Sequence, residues 1–110
     1  PLHPAVLRLL QMTAKAAKGA GIELSICGGM AADPLAVPVL LGLGYEELSV
    51  DVGYLPLARA IIERIDMGLA VETTREALLC VTTAEVKALI VERFRASLGD
   101  IWTEQGFEPL

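Results

Sequence analysis

Apolar and polar residues alternate at every second position in two short stretches of this chain. Ile22, Leu24 and Ile26 interleave with Glu23, Ser25 and Cys27, and Leu48 and Val50 interleave with Glu47, Ser49 and Asp51. A period of two predicts strands with two different faces, over 22–27 and 47–51. Between them, Asp33-Pro34 is a helix start signal, with Asp33 as N-cap and Pro34 as first residue. That helix is expected to reach about Leu41, bent near Pro38, before Gly42 and Gly44 turn the chain into the second strand. Strands joined through a helix need a crossover connection, so the pair is read as parallel and right-handed.

The flanking stretches carry helical spacing instead. From Pro4 to Lys18 the expected stripe is Val6, Leu9, Leu10, Thr13 and Ala17, ended by Gly19 and Gly21. Pro56 opens a helix whose Leu57, Ile61 and Ile65 lie one turn apart, with Ala58 and Ile62 beside them. A weaker helix covers about Leu69 to Leu79. Thr82 and Glu85 then form a capping pair for a last helix, whose Val86, Leu89, Ile90 and Phe94 give it an apolar stripe to about Leu98.

The predicted order is therefore α, β, α, β, α, α, α. Strands of an open parallel sheet are covered on both faces and read as nearly all apolar. These are not. A (β/α) barrel explains the polar face, because its strands turn one side to the outer helices and the other to the lumen. The reading is an α/β fold, the C-terminal portion of a (β/α)8 TIM barrel, incomplete alone because two strands leave two open edges. Residues 1–98 form that portion and 99–110 a tail, whose Trp102 and Phe107 are either docked or frayed. Cys27 then lies at the carboxyl end of its strand, facing inward, where barrel enzymes keep their chemistry.

Composition narrows the partners. The chain is 54% hydrophobic with a mean hydropathy of +0.54, more apolar than an ordinary domain of 110 residues. The excess is read as surface for a missing remainder or a second subunit, so a homo-oligomer is expected. A net charge of −5 argues against nucleic acid, which basic patches bind. No apolar run approaches the ~18 residues that cross a bilayer, so no membrane insertion is expected. Two cysteines make no disulfide framework and no CxxC or His/Cys cluster suggests zinc. With no signal peptide, and a start at Pro1 that suits a fragment or processed chain, the cytoplasm is the expected location.

Other residues have plainer readings. Cys80 is expected to pack at a helix end, and His3 to flank a helix start. Glu23 and Glu47 lie near the starts of their strands, the end of a barrel that serves stability. Ser49 either contacts a ligand from the lumen or fills the barrel interior. Arg8, Arg59, Arg64, Arg75, Arg93 and Arg95 all fall on predicted helices, none in a loop after a strand.

The run Ile26-Cys27-Gly28-Gly29-Met30-Ala31-Ala32-Asp33-Pro34-Leu35-Ala36, then Leu40-Leu41-Gly42-Leu43-Gly44 and Glu47-Leu48-Ser49, resembles the phosphoenolpyruvate-utilising enzymes. Within them it is most similar to the phosphoenolpyruvate–protein phosphotransferases of bacterial sugar uptake. The likeness extends from Pro1, where PLHPAVLRL looks like the helix after the sixth barrel strand, to about Leu98. Gly29 stands where most members carry glutamate, which points to a multidomain multiphosphoryl transfer protein as parent. The resemblance implies transfer of a phosphoryl group from phosphoenolpyruvate to a histidine on a mobile domain, whose motif is absent here, so His3 is not that histidine. It implies Cys27 as the acid that protonates the pyruvate enolate, and Gly28 as a weaker, substrate-binding position. An ordinary thiol carries its proton at neutral pH yet gives it up readily, and two glycines let the backbone pass close to a ligand.

The resemblance also implies magnesium and a phosphocarrier protein as partner for the parent enzyme, with the metal ligands and phosphate-binding arginines outside this segment. Asp51 replaces the family's usual serine and would oppose an anionic substrate. The segment alone is therefore expected to be inactive. Two rivals remain: a pyruvate phosphate dikinase or phosphoenolpyruvate synthase type of enzyme, against which the PLAVPVLLGLG helix argues, and a non-catalytic dimerisation or regulatory module, favoured by Gly29 and Asp51.

Overall fold

The computed structural model describes residues 2–106 of the chain. Its elements follow the expected order: α1 (Pro4–Ala20), β1 (Ser25–Ile26), α2 (Val37–Gly42), β2 (Glu47–Leu48), a 3-10 turn (Val52–Tyr54), α3 (Leu55–Glu63), α4 (Met67–Ala77) and α5 (Thr83–Glu104). Among the described residues this is a mostly helical chain with one small, open, two-stranded sheet, as a partial α/β domain would be. The strands are parallel, in the register Ser25↔Glu47 and Ile26↔Leu48.

Both strands are shorter than the alternation predicts. Each has one neighbour, and beyond the central pair the ladder continues only through the Ser49 N–H donating to the Ile26 carbonyl at 2.8 Å. A strand without a second partner has unpaired backbone groups along its other edge and frays there. Ile22, expected on the covered face, is 65% exposed.

The helix after β1 also begins later than expected. Asp33 does cap, but its carboxylate accepts from the Leu35 N–H at 2.9 Å and closes a turn over 34–36, and α2 starts only at Val37. Pro38 therefore sits in the first turn, where a missing N–H breaks no helical hydrogen bond. This short helix is the centre of the molecule: Val37, Pro38, Val39 and Leu40 are all buried.

α5 closes the core with Val86, Ile90, Phe94, Leu98, Ile101 and Trp102, spaced along one face. It begins at the expected cap, Thr82, whose hydroxyl accepts from the Glu85 N–H at 3.2 Å. It runs past Gly99 to Glu104, beyond the expected end near Leu98. Trp102 is docked and fully buried, while Phe107 lies outside the described residues. α4 starts two residues before its expected position, because the Asp66 carboxylate accepts from the Leu69 N–H at 3.0 Å and caps Met67 onward. α3 buries Ala58 and Ile61 as its spacing predicts, leaving Ile62 41% exposed.

α1 keeps Leu10 and Ala17 of the expected stripe and replaces the rest. Pro4, Leu7, Ala14 and Ala17 are buried and Leu10 is half-buried, whereas Leu9 is 62% exposed and Thr13 is exposed too. His3 is more than a flanking residue: it is the N-cap, its Nδ1 accepting from the Ala5 N–H at 3.0 Å. Tyr45 ties α1 to the turn after α2, donating its hydroxyl to the Leu10 carbonyl at 3.0 Å, and burial pushes its phenol pKa up.

Among the described residues, ion pairs at Arg64 and Arg93 brace the helices. Arg64, the C-cap of α3, meets Asp100 of α5 at 2.8 Å, and Arg93 of α5 donates to Glu76 of α4 at 2.8 Å. In each, the hydrogen bond from arginine holds the carboxyl below its ordinary range. Both pairs are solvent-accessible enough that their contribution to stability is small.

The contact between α2 and α4 is tight for one reason. A Cβ at Gly42 would fall on Thr74 Oγ1 and within 2.5 Å of the Ala70 carbonyl oxygen. Thr74 could turn away, but Ala70 is helix backbone. Gly42→Ala is therefore expected to destabilise the chain by about 1–3 kcal/mol through overpacking. Urea denaturation followed by circular dichroism measures this, and an unchanged midpoint would mean that the two helices are not in this contact.

Candidate functional site

β1 delivers Cys27 to the carboxyl edge of the sheet, and β2 delivers Ser49 to the same edge. The Ser49–Ile26 hydrogen bond at 2.8 Å holds the two chains together there. Cys27 is a free thiol and exposed. It lines an open groove of about 570 Å³ together with Gly28, Gly29, Ser49, Asp51 and Tyr54. Cys27 is thus an exposed residue of the groove, whereas Ile26 and Leu48 pack against the core behind the sheet.

The loop beyond Cys27 is built by successive turns. Ala31 donates to the Gly28 carbonyl, Ala32 to Gly29 and Asp33 to Met30, each at 3.2 Å. Ala31 is fully buried and Met30 packs against the core, so the loop is anchored from below while its glycines stay at the rim. Gly28 has φ +85°, a left-handed conformation that side chains resist. Gly29 has no such constraint, and a Cβ there would meet nothing within 4 Å. The first glycine is required by backbone shape, whereas the second leaves room for a larger residue.

Sequence reasoning singled out Cys27, Gly28, Gly29, Ser49 and Asp51, and the fold brings all five to one groove. It missed Tyr54, a half-exposed ring on the 3-10 turn after β2. The available signal was its place in the loop following a strand's carboxyl end. Glu23 and Glu47 are exposed and do not line this groove. Cys80 is half-buried beyond α4 and packs against the core; its Sγ donates to the Glu76 carbonyl at 3.6 Å, and burial pushes its pKa up.

The electrostatics limit what the groove can hold. Among the described residues that line it, Asp51 alone is charged. No arginine or lysine lines it among the described residues. Nor does any group of three His, Cys, Asp or Glu among the described residues stand ready for a metal ion. One carboxylate with no cation beside it does not fit a magnesium–phosphate site, which needs several oxygen ligands and compensating positive charge. What the groove offers is an accessible thiol, a hydroxyl at Ser49 and a phenol at Tyr54, beside a backbone that can approach a ligand closely.

Comparison with known proteins places this geometry in context. A family model described as the PEP-binding domain of PEP-utilising enzymes matches residues 1–67, which include the whole groove. The chain is 44% identical over 88 residues to a multiphosphoryl transfer protein of Rhodobacter capsulatus, covering 80% of this chain and 11% of that protein. It is 40% identical over 96 residues to a phosphoenolpyruvate-protein phosphotransferase of Listeria monocytogenes, covering 87% of this chain and 17% of the relative. A phosphoenolpyruvate-protein phosphotransferase of Bacillus subtilis is 37% identical over 95 residues, with 86% and 17% covered. The chain thus spans 11% to 17% of the length of these relatives.

Proposed function

The chain belongs to the PEP-utilising enzymes, and from that membership we propose that it is the carboxyl-terminal part of the barrel of a phosphoenolpyruvate–protein phosphotransferase, or of a multiphosphoryl transfer protein containing one. In this reading the parent moves the phosphoryl group of phosphoenolpyruvate to a protein histidine and releases pyruvate, and Cys27 protonates the enolate carbon. Gly28 lets the backbone approach that ligand. The observation that carries the reading is the position of Cys27 at the carboxyl edge of a parallel pair, exposed in a groove inside the stretch that the family model matches.

The barrel is proposed from the same features. β1 and β2 expose polar residues on one side, and their outer edges have no partner among the described residues. Val6, Leu9 and Met12 form an exposed apolar row on α1, at 37%, 62% and 65%. Further strands, or a second copy, would cover such surfaces in a homo-oligomer. The division into a barrel portion, 1–98, and a tail, 99–110, stands as a proposal in which the first part of the tail is the end of α5. Among the described residues no helix is long and apolar enough to cross a membrane, and a cytoplasmic parent, served by a phosphocarrier protein, fits the chemistry.

Since Asp51 is the one charged side chain among the described residues that line the groove, magnesium and the phosphate-binding cations are proposed to come from residues outside this chain, which alone is inactive. Titration with phosphoenolpyruvate and magnesium is expected to give no specific heat with the 110 residues. A longer polypeptide that includes them should form pyruvate when phosphoenolpyruvate and a phosphocarrier are supplied. Micromolar affinity in the short chain would refute the missing phosphate site. A longer polypeptide without phosphoryl transfer would favour a non-catalytic module, the second reading, which the carboxylate of Asp51 in the groove supports. A pyruvate phosphate dikinase or phosphoenolpyruvate synthase type of parent would instead need no phosphocarrier.

A further inference from the structure

Asp51 stands at the start of the 3-10 turn as its N-cap, yet its side chain makes no capping hydrogen bond. It is exposed, and no ion pair or hydrogen bond engages its carboxylate among the described residues. The other side chains that share the groove are neutral: Cys27, Ser49 and Tyr54 among them. An uncompensated charge thus stands in the same open groove as the thiol, on a chain whose net charge is already −5.

We infer that Asp51 is a specificity-determining residue of the Cys27 groove, lowering the occupancy of anionic ligands relative to neutral ones of the same shape. Two like charges 4 Å apart in water repel by about 1 kcal/mol, roughly a fivefold change in occupancy. The effect reaches about 10 Å at 0.1 M salt and fades as salt rises. For the parent enzyme this makes Asp51 a brake on the entry of a phosphorylated acid, one that the cations supplied from elsewhere must outweigh. That consequence rests on the proposed function, but the charge selection itself does not.

Alkylation of this chain with two nearly isosteric reagents tests it. Iodoacetamide is neutral and iodoacetate is an anion; with either, the thiolate forms the S–C bond and iodide leaves. The rate ratio, neutral over anionic, is read at Cys27 by peptide mass spectrometry, with Cys80 in the same sample as internal reference. Asp51→Asn is expected to lower the ratio at Cys27 about threefold to fivefold at low salt, with the difference disappearing near 1 M salt. Any change in how readily the thiol ionises, or a loosened loop, affects both reagents alike and cancels in the ratio. Asp51→Ser, which shortens the side chain, must give the same shift. A ratio unchanged in both variants, or one that moves equally at Cys80, overturns the inference. Neither result bears on proton donation by Cys27, which a pyruvate assay of the Cys27→Ala enzyme decides separately.

Discussion

Replacing Cys27 by alanine in an enzyme that includes these residues is expected to slow pyruvate formation by about 10²–10⁴-fold, the usual share of a positioned general acid. The chemistry dictates which step suffers. When the phosphoryl group leaves the enol oxygen for a histidine nitrogen, the O–P bond breaks, an N–P bond forms, and an enolate remains. Carbon must then take a proton, and in the proposed mechanism the S–H bond of Cys27 supplies it, leaving a thiolate. Alanine removes the donor but leaves the groove almost unchanged, because Cys27 is exposed and holds no hydrogen bond of the loop, whose turns run between backbone groups. Phosphoenolpyruvate binding should therefore survive. Cys27→Ser is the sharper control: it keeps a hydroxyl of similar size, but one far less acidic, so it should be nearly as slow as alanine. A serine variant with wild-type turnover would reduce Cys27 to a spacer, and an alanine variant with wild-type turnover would remove it from the mechanism.

The part of this site that could be read from the sequence is the part set by local rules. Period-two alternation fixed which side of each strand Cys27 and Ser49 would share, and a parallel pairing through α2 brought their ends together. The rest depended on distant residues. α1 is apolar on two sides, Leu7-Leu10-Ala14-Ala17 and Val6-Leu9-Met12, and the spacing of one helix cannot say which row meets the core. Gly42 has the look of a turn residue. Its real constraint is the backbone of Ala70, far along the chain, which packs against it only once α4 has folded back. Gly99 has the look of a helix end. A glycine in a helix costs only about 0.5–1 kcal/mol, whereas burying side chains such as Ile101 and Trp102 returns about 1.5–3 kcal/mol each, so α5 continues. Tyr54 escaped notice because no pattern marks a ring in an irregular turn.

Trp102 is where that long-range packing bears on the site. It is fully buried, and its indole N–H donates to the Pro34 carbonyl at 3.3 Å, linking the last turns of α5 to the segment that follows the groove loop. Trp102→Ala removes the largest side chain in the core and leaves the Pro34 carbonyl without that donor. The expected cost is about 3–5 kcal/mol, against a total of roughly 5–15 kcal/mol for an ordinary domain. A chain whose described residues hold one two-stranded sheet with unpaired edges has little stability in reserve, so this variant should be largely unfolded at room temperature. Trp102→Phe separates the two contributions, since it retains a buried ring and loses the hydrogen bond. It should stay folded, about 1–2 kcal/mol less stable, with amide exchange accelerated over residues 28–36 more than over α1. Uniform acceleration in both segments would show that Trp102 only fills volume. A Trp102→Ala chain with an unchanged denaturation midpoint would mean that the end of α5 does not lie against Pro34 at all, and that the indole hydrogen bond does not hold the segment after the groove loop to that helix.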